Sequence, residues 1–274
     1  MEENSLNEAA SQIVSAAGLV AFTGAGISEE SGISPFRGGG GLWDRYPPER
    51  FGNMAGLLAE FLIRPQKLTA FLQEILHSCL NARPNPAHLV LAEWEARGIL
   101  RAVVTQNIDT LHERAGCSKT IKLHGSIDRL RCTDCGFKQD LDQTQIRRWA
   151  RDLSPKGMGR RQLWRTLQNI FSPCPYCGGG RRPDVVLFGD LLPQDAWLEA
   201  QKEVSSCSLL LVIGTSGLVY PAADLPLLAK KSGTILVEIN RDPTHLTPLA
   251  DLFLEGKAGE IMQELARQVK SIGR

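Results

Sequence analysis

Thr23-Gly24-Ala25-Gly26-Ile27-Ser28-Glu29-Glu30-Ser31-Gly32-Ile33-Ser34-Pro35-Phe36-Arg37-Gly38 comes directly after the apolar run Leu19-Val20-Ala21-Phe22. A buried strand, a small-residue turn and a helix start are the arrangement that sets a pyrophosphate on backbone N–H groups. Gly24 and Gly26 match the dinucleotide fingerprint, but Glu29 stands at its third glycine, and no acid closes a second strand about twenty residues on. The pair alone fits a plain tight turn equally well. Its neighbours favour a ligand. Ser28 and Ser31 can cap a helix or meet phosphate oxygens, and Arg37 adds a fork of donors suited to phosphate or ribose.

Outward from this loop, residues 19–22, 99–105, 120–123, 209–213 and 234–239 read as buried strands. Residues 7–17, 66–80, 87–97, 196–204, 223–230 and 259–272 read as helices. The alternation predicts an α/β fold, a Rossmann-like doubly wound parallel sheet covered on both faces. Two regions interrupt it. Residues 35–84 carry helix signals without a strand, and residues 128–182 carry cysteine pairs and a basic, strand-poor middle. The expected organisation is a large domain of residues 1–34, 85–127 and 183–274. The insertions 35–84 and 128–182 would form a smaller lobe. In the second insertion Lys138, Arg147, Arg148, Arg151, Lys156, Arg160, Arg161 and Arg165 outnumber the acids. A solvated helical face is expected there, since too few aromatics interleave for nucleic-acid binding.

Polar groups collect where the predicted strands end. Gln106-Asn107-Ile108-Asp109, His124-Gly125, Gly214-Thr215-Ser216 and Asn240 each come after an apolar run. Ligands of open α/β sheets bind in the crevice beyond the carboxyl ends of the strands. Asn240 could grip an adenine ribose in place of the missing acid. His124 should open onto the crevice, where a group titrating near neutrality suits a general base. His112 lies one turn beyond Asp109 and is expected to orient it. His88 opens a helix and reads as structural. No Gly-x-Ser-x-Gly, His-Glu-x-x-His or Gly-Lys-Ser/Thr motif is present, which excludes the usual serine hydrolase, zinc protease and P-loop readings.

Of 274 residues 43% are hydrophobic, enough for a full core, and the net charge of +1 points to neither nucleic acid nor membrane. No apolar run could span a bilayer, and no signal-like start is seen. A soluble, cytoplasmic protein is the expectation. Seven cysteines, an odd number, argue against a disulfide framework. Cys79, Cys117 and Cys207 read as small buried hydrophobes. Cys132-Thr133-Asp134-Cys135 and Cys174-Pro175-Tyr176-Cys177 are knuckles, each with a glycine directly after it. Together they offer four thiolates to one tetrahedral Zn2+. No position stays open for water, so the metal is expected to be structural.

Gly24-Ala25-Gly26-Ile27-Ser28, Ser31-Gly32-Ile33, Phe36-Arg37-Gly38, Thr105-Gln106-Asn107-Ile108-Asp109, Leu123-His124-Gly125, the four cysteines, Arg182-Pro183, Phe188-Gly189, Gly214-Thr215-Ser216 and Asn240 form an ordered set. The set resembles the sirtuins, NAD-dependent protein-lysine deacylases, over nearly the whole chain. The resemblance implies NAD, consumed as co-substrate, in a cleft between a Rossmann-like lobe and a zinc lobe. It places Ala25, Phe36, Arg37 and Gln106 along NAD, and Ile33, Ile108 and Asp109 around the nicotinamide amide. Asn107 would hold water and the nicotinamide ribose. Gly214, Thr215, Ser216, Asn240 and Ala258 would hold the phosphate–adenosine half. Val186, Phe188 and Gly189 would border an acyl-lysine tunnel. Gly217, Leu218, Val219 and Tyr220 would pair with the substrate backbone. His124 would take a proton from a ribose hydroxyl, and O-acyl-ADP-ribose, nicotinamide and free lysine would result.

Three departures stand out. Ser34-Pro35 displaces a proline of the cofactor loop by one position. Asp190 stands where glutamate is common. No Tyr-x-x-Arg pair lies between Arg64 and Leu80, which implies uncharged acyl groups. Two other functions would use the same NAD site, a mono-ADP-ribosyltransferase or NAD hydrolase, and an inactive NAD-sensing scaffold. The intact Gln106-Asn107-Ile108-Asp109 and His124 disfavour the scaffold.

Overall fold

The computed structural model describes residues 3–153 and 158–273. Its strands are β1 (Leu19–Thr23), β2 (Leu100–Thr105), β3 (Thr120–Lys122), β4 (Gly125–Cys132), β5 (Lys138–Asp140), β6 (Arg181–Val185), β7 (Leu209–Ile213), β8 (Ile235–Asn240) and β9 (Leu252–Glu255). Six of them form one sheet in the order β3-β2-β1-β7-β8-β9. Every pairing in it is parallel. Chain order runs outward in opposite directions from β1 and β7. The topological switch point therefore lies between those two strands, where a crevice opens.

The strand sequences explain the burial. β1 and β7 are buried at every position, as unbroken apolar runs require when helices cover both faces. The two-residue period divides each strand between two cores. Leu19, Ala21, Leu209 and Leu211 pack with the helices Glu3–Ser15, Pro86–Ala96 and Ala258–Ile272. Val20, Phe22, Leu210 and Val212 face the helices Gln194–Ser205 and Asp224–Lys231. β9 was not among the predicted strands. It is a four-residue edge strand after a 3-10 turn at Thr247–Leu249, too short for its alternation to register.

Residues 35–84 are helical, as expected, in the helices Leu42–Arg45, Pro48–Phe51, Met54–Ile63 and Pro65–Asn81. Residues 128–182 differ from expectation. They contribute to a three-stranded antiparallel sheet, β5-β4-β6, as well as the helices Gln143–Asp152 and Arg160–Ile170. The signal was weak because β4 carries Asp128, Arg129 and Arg131 along a half-exposed ribbon and β6 contains Pro183. Both insertions share a third core around Phe51, Phe71, Leu130, Ile146 and Leu163. Lys138, Arg147, Arg148, Arg151, Arg160, Arg161 and Arg165 are exposed, as a solvated face requires. Lys156 lies outside the described residues.

Candidate active site and metal centre

At the switch point the loops after β1 and β7 are stitched together. The Gly24 N–H donates to the Ile213 carbonyl at 3.0 Å, and the Gly26 N–H donates to the Gly214 carbonyl at 2.8 Å. A Cβ on Gly24 would lie 2.7 Å from both the Gly214 oxygen and Thr215 Cβ, and one on Gly26 would lie 2.7 Å from Gly214 Cα. Both amides are thus committed within the protein. Glycine supplies close approach here rather than free donors. Beyond Gly24 the chain winds into a 3-10 helix, Ala25–Ser31, in place of the α-helix start read from the fingerprint. Its turn ends at Gly32, whose φ of 88° is left-handed.

One cavity, open and about 510 Å3, receives Ala25, Ile33, Phe36, Asn107, Ile108 and Asp109, all predicted site residues. Ser28 is buried between the acid and the amide. Its hydroxyl donates to Asp109 Oδ2 at 2.9 Å, and Asn107 Nδ2 reaches Ser28 Oγ at 3.2 Å and the Gly24 carbonyl at 3.1 Å. The Leu111 N–H donates to Asp109 Oδ1 at 3.0 Å. Burial raises the Asp109 carboxyl above its usual range, against the lowering pull of the Leu111 and Ser28 donors. His112 does not orient Asp109, contrary to expectation. Its Nε2 lies 3.0 Å from Thr23 Oγ1 instead. The far wall comes from the helix Pro65–Asn81, through Glu74, Ile75, Ser78 and Cys79. Sequence reasoning missed this wall. Its only trace is Ile75, Ser78 and Cys79 sharing a helix face by i, i+3, i+4 spacing. Cys79 therefore lines the cavity instead of filling a core, and burial pushes its thiol up to about 12. Cys117 and Cys207 are buried as predicted.

A second cleft, about 290 Å3, is lined by Gly26, Gly214, Asn240 and Ala258. Asn240 Nδ2 donates to the Thr215 carbonyl at 3.0 Å, and Gln106 Nε2 donates to Thr215 Oγ1 at 2.9 Å. Glu29, Glu30, Arg241 and Lys257 also line it and were not predicted. Arg241 pairs with Glu29 at 2.6 Å, and Glu30 takes the Gly259 N–H at 2.6 Å. Ser216 is half-buried beside Thr215, while Arg37 is exposed and lines neither cavity. The loop with the displaced Pro35 is pinned at its base. The Pro35 and Phe36 carbonyls accept the Leu42 and Trp43 N–H groups at 2.9 and 3.0 Å.

His124 sits between β3 and β4. Its Nδ1 lies 2.8 Å from the Gln106 carbonyl. A carbonyl only accepts, so Nδ1 carries the hydrogen and Nε2 keeps a free lone pair. Burial lowers the ring below the ordinary 6.5, partly offset by the Gln106 carbonyl. The ring is therefore neutral at pH 7 and able to accept a proton. The next loop hangs from this residue, since the Val186 N–H donates to the His124 carbonyl at 3.0 Å and the Phe188 N–H to the Gly52 carbonyl at 2.8 Å. Phe188 is half-exposed with its ring 6.0 Å from Trp43, and Gly189 has φ 92°. Asp190 takes the Leu187 N–H at 3.1 Å and pairs with Arg182 at 2.6 Å, so aspartate suffices at this position. After Ser216, Gly217 packs on Leu246 at φ 67°, Val219 is half-buried, and Leu218 and Tyr220 are exposed.

The four predicted thiols converge. Cys132 and Cys177 lie 3.5 Å apart and Cys135 and Cys174 3.7 Å apart, with all four sulfurs within 4.8 Å. A tetrahedron with Zn–S bonds of about 2.3 Å has sulfur–sulfur edges of about 3.8 Å. The set fits. Gly136 and Gly178 close the knuckles at φ 74° and 73°. The Cys135 N–H draws the Cys132 thiol down to about 6, while hydrogen bonds among the crowded sulfurs raise Cys135 and Cys177.

A parallel sheet with this polar crevice at its switch point, joined to a four-thiolate centre, defines a nucleotide-binding protein of two-lobed type. A family profile described as Sir2 family matches residues 24–221. An NAD-dependent protein deacylase 2 of Pyrobaculum aerophilum is 44% identical over 255 residues, covering 92% of this chain and 90% of its own. A Sir2 homolog–NAD complex superposes with TM-score 0.79 at 40% identity, covering 97% of this chain and 94% of its own. A Sir2 protein with deacetylated p53 peptide and 3′-O-acetyl ADP ribose superposes with TM-score 0.75 at 34% identity, covering 98% of each chain. The chain belongs to the Sir2 family.

Proposed function

We propose that this chain is an NAD-dependent protein-lysine deacylase. It moves the acyl group of a lysine to ADP-ribose, with nicotinamide and free lysine as the other products. The observation that carries the reading is the pairing of two features beyond the ends of the adjacent strands β2 and β3. One is the buried Ser28–Asn107–Asp109 network, and the other is a neutral His124 with Nε2 free. Bound NAD supplies a ribose whose bond to nicotinamide is ready to break. Asp109, Ile33 and Ile108 enclose the carboxamide, and Asn107 holds the ribose and a water. Ala25, Phe36, Arg37 and Gln106 run along the cofactor. Gly214, Thr215, Ser216, Asn240 and Ala258 hold the phosphate–adenosine half, and Gly24 and Gly26 serve the cofactor site by letting the two loops close beside it. The acyl oxygen of the lysine takes the place of nicotinamide on C1′ of the ribose. His124 Nε2 then accepts a ribose hydroxyl proton, and that oxygen attacks the former acyl carbon. Lysine leaves as the free amine, and water completes O-acyl-ADP-ribose. The imidazolium is steadied through Nδ1 by the Gln106 carbonyl.

Acyl-lysine proteins enter between Val186, Phe188 and Gly189 on one side and residues 217–220 on the other. Uncharged acyl groups are the expected substrates, because no Tyr-x-x-Arg pair lies between Arg64 and Leu80. Cys132, Cys135, Cys174 and Cys177 hold one Zn2+ that shapes the small lobe and takes no part in chemistry. Residues 1–34, 85–127 and 183–274 make the NAD lobe, and residues 35–84 and 128–182 the smaller one, with β4 and β6 crossing from lobe to lobe. We assign the protein to the cytoplasm and expect no nucleic-acid partner, in keeping with its near-zero net charge. Among the described residues, no helix is long and apolar enough to cross a membrane.

The test is incubation with NAD and an acetyl-lysine peptide, with mass analysis of the products. Peptide-dependent nicotinamide release with O-acetyl-ADP-ribose is expected. Peptide-independent release, or ADP-ribosylated protein, would replace this reading with transfer or hydrolysis.

A further inference from the structure

Behind the crevice runs a buried polar chain that the proposed reaction leaves unused. Thr23 and Thr105 are register partners at the ends of β1 and β2, and the Thr23 hydroxyl donates to Thr105 Oγ1 at 2.8 Å. Thr23 Oγ1 is then left to accept, so His112, 3.0 Å away, carries its hydrogen on Nε2. Thr105 Oγ1 also accepts the Asn107 N–H at 3.1 Å. That N–H is one end of the peptide plane whose other end, the Gln106 carbonyl, receives Nδ1–H of His124 at 2.8 Å. His112, Thr23 and Thr105 are 1%, 0% and 0% exposed. Burying three polar side chains is costly unless they find partners. These three bond in a line that ends on the catalytic ring, and His112 Nδ1 alone among their nitrogens and hydroxyl oxygens is left without a partner.

We propose that His112 is a positioning residue for His124, acting through Thr23, Thr105 and the Gln106–Asn107 peptide. Thr105 fixes the tilt of that plane. A hydrogen bond at the N–H end also polarises the peptide, which makes its carbonyl a stronger acceptor. The Gln106 carbonyl then holds the His124 ring and its tautomer and stabilises the imidazolium as the proton arrives.

The relay itself stays uncharged. Burial drives His112 well below 6.5, with His88 and Lys122 adding to the effect, and burial lowers His88 to about 4. The rings of His88 and His112 lie 4.9 Å apart, and Lys122 pairs with Glu113 at 3.0 Å. Around His124 the influences are burial and the Gln106 carbonyl. At its far end the chain nears the cofactor turn, because Asn85, beside His88, donates to the Ile27 carbonyl at 2.6 Å and to Ser31 Oγ at 3.0 Å.

The positioning role rests on His124 as the general base, and the test separates the two. His112→Leu removes the donor to Thr23, whereas His112→Gln can keep an N–H at the same reach. The ring titration of His124 is tracked by NMR in the free protein, together with the pH profile of kcat, peptide KM and thermal midpoint. In His112→Leu the His124 pKa and the acid limb should fall together by about half a unit, with kcat down roughly tenfold and peptide KM unchanged. His112→Gln should restore both. An unmoved His124 titration in a folded His112→Leu protein overturns the inference, as does a Gln variant no better than Leu. If the Leu protein does not fold, isosteric Thr23→Val is measured in the same way. Turnover surviving in His124→Ala would instead sink the base assignment, without touching the ring titration that reads the relay.

Discussion

Gly214→Ala perturbs the seam on which the site depends. Gly214 has φ 61°, and a Cβ there would stand 2.6 Å from the Gly26 carbonyl carbon and 2.8 Å from Gly26 Cα, with the Ile27 nitrogen closer still. The left-handed conformation costs an alanine about 1–2 kcal/mol. Overpacking against atoms that cannot turn aside adds about 1–3 kcal/mol, and these are backbone atoms rather than a mobile side chain. The sum is about 2–5 kcal/mol. At about 2–4 °C per kcal/mol for chains of this size, the thermal midpoint should fall by roughly 4–20 °C. Relief of the clash must push the loops after β1 and β7 apart. That lengthens the bond from Gly26 N–H to the Gly214 carbonyl and widens the cleft lined by Asn240 and Ala258. NAD affinity should drop with stability. Gly39→Ala is the control, since a Cβ there meets nothing within 4 Å. Thermal unfolding and NAD titration on both variants read the two effects. A Gly214→Ala protein with the midpoint and NAD affinity of the parent would refute the idea that the glycines serve close approach.

His124→Ala should abolish deacylation while NAD binding, read by titration calorimetry, persists. In the parent enzyme the base must be neutral, and burial holds it below 6.5. The rate should therefore be full above that pH and fall as pH drops through the lowered value. Ser28→Ala leaves Asp109 and Asn107 each short of a partner, a loss of about 1–3 kcal/mol. It should cut kcat/KM about tenfold or more, and an unchanged value would remove Ser28 from the network. Cys174→Ser, or stripping the metal with a chelator, should release one Zn2+ and unfold the small lobe, because such sites contribute on the order of 10 kcal/mol. Metal analysis alongside circular dichroism checks both halves.

The parallel sheet was legible because β1, β2, β7 and β8 are buried on both faces, which leaves unbroken apolar runs. The site was legible for the same reason, since polar residues directly after such runs have one place to go in a parallel sheet. The cysteine knuckles carry their geometry in their spacing. Other features arise from tertiary placement and leave little local trace. The wall formed by Ile75, Ser78 and Cys79 sits on a helix far from Asn107 in the chain. The role of His112 depends on Thr23, which arrives beside it only when β1 pairs with β2. β9 and the β5-β4-β6 sheet are short or charged, so neither apolar period nor length singles them out. The fingerprint glycines were read correctly as a tight place but not for its cause, since the loop they crowd against, just after β7, lies far along the chain.

His124 is one of two residues linking β3 of the large sheet to β4 of the metal-bearing sheet, and its carbonyl receives the chain returning just after β6. The His124 ring is thus mounted on a joint. A swing of the thiolate-bearing sheet would turn the backbone at His124, while Gln106, bonded to Thr23 of the large sheet, would hold the ring from the other side. Such a swing would load the bond between His124 Nδ1 and the Gln106 carbonyl. The posture of the two sheets and the tilt of the His124 ring would then be one mechanical variable.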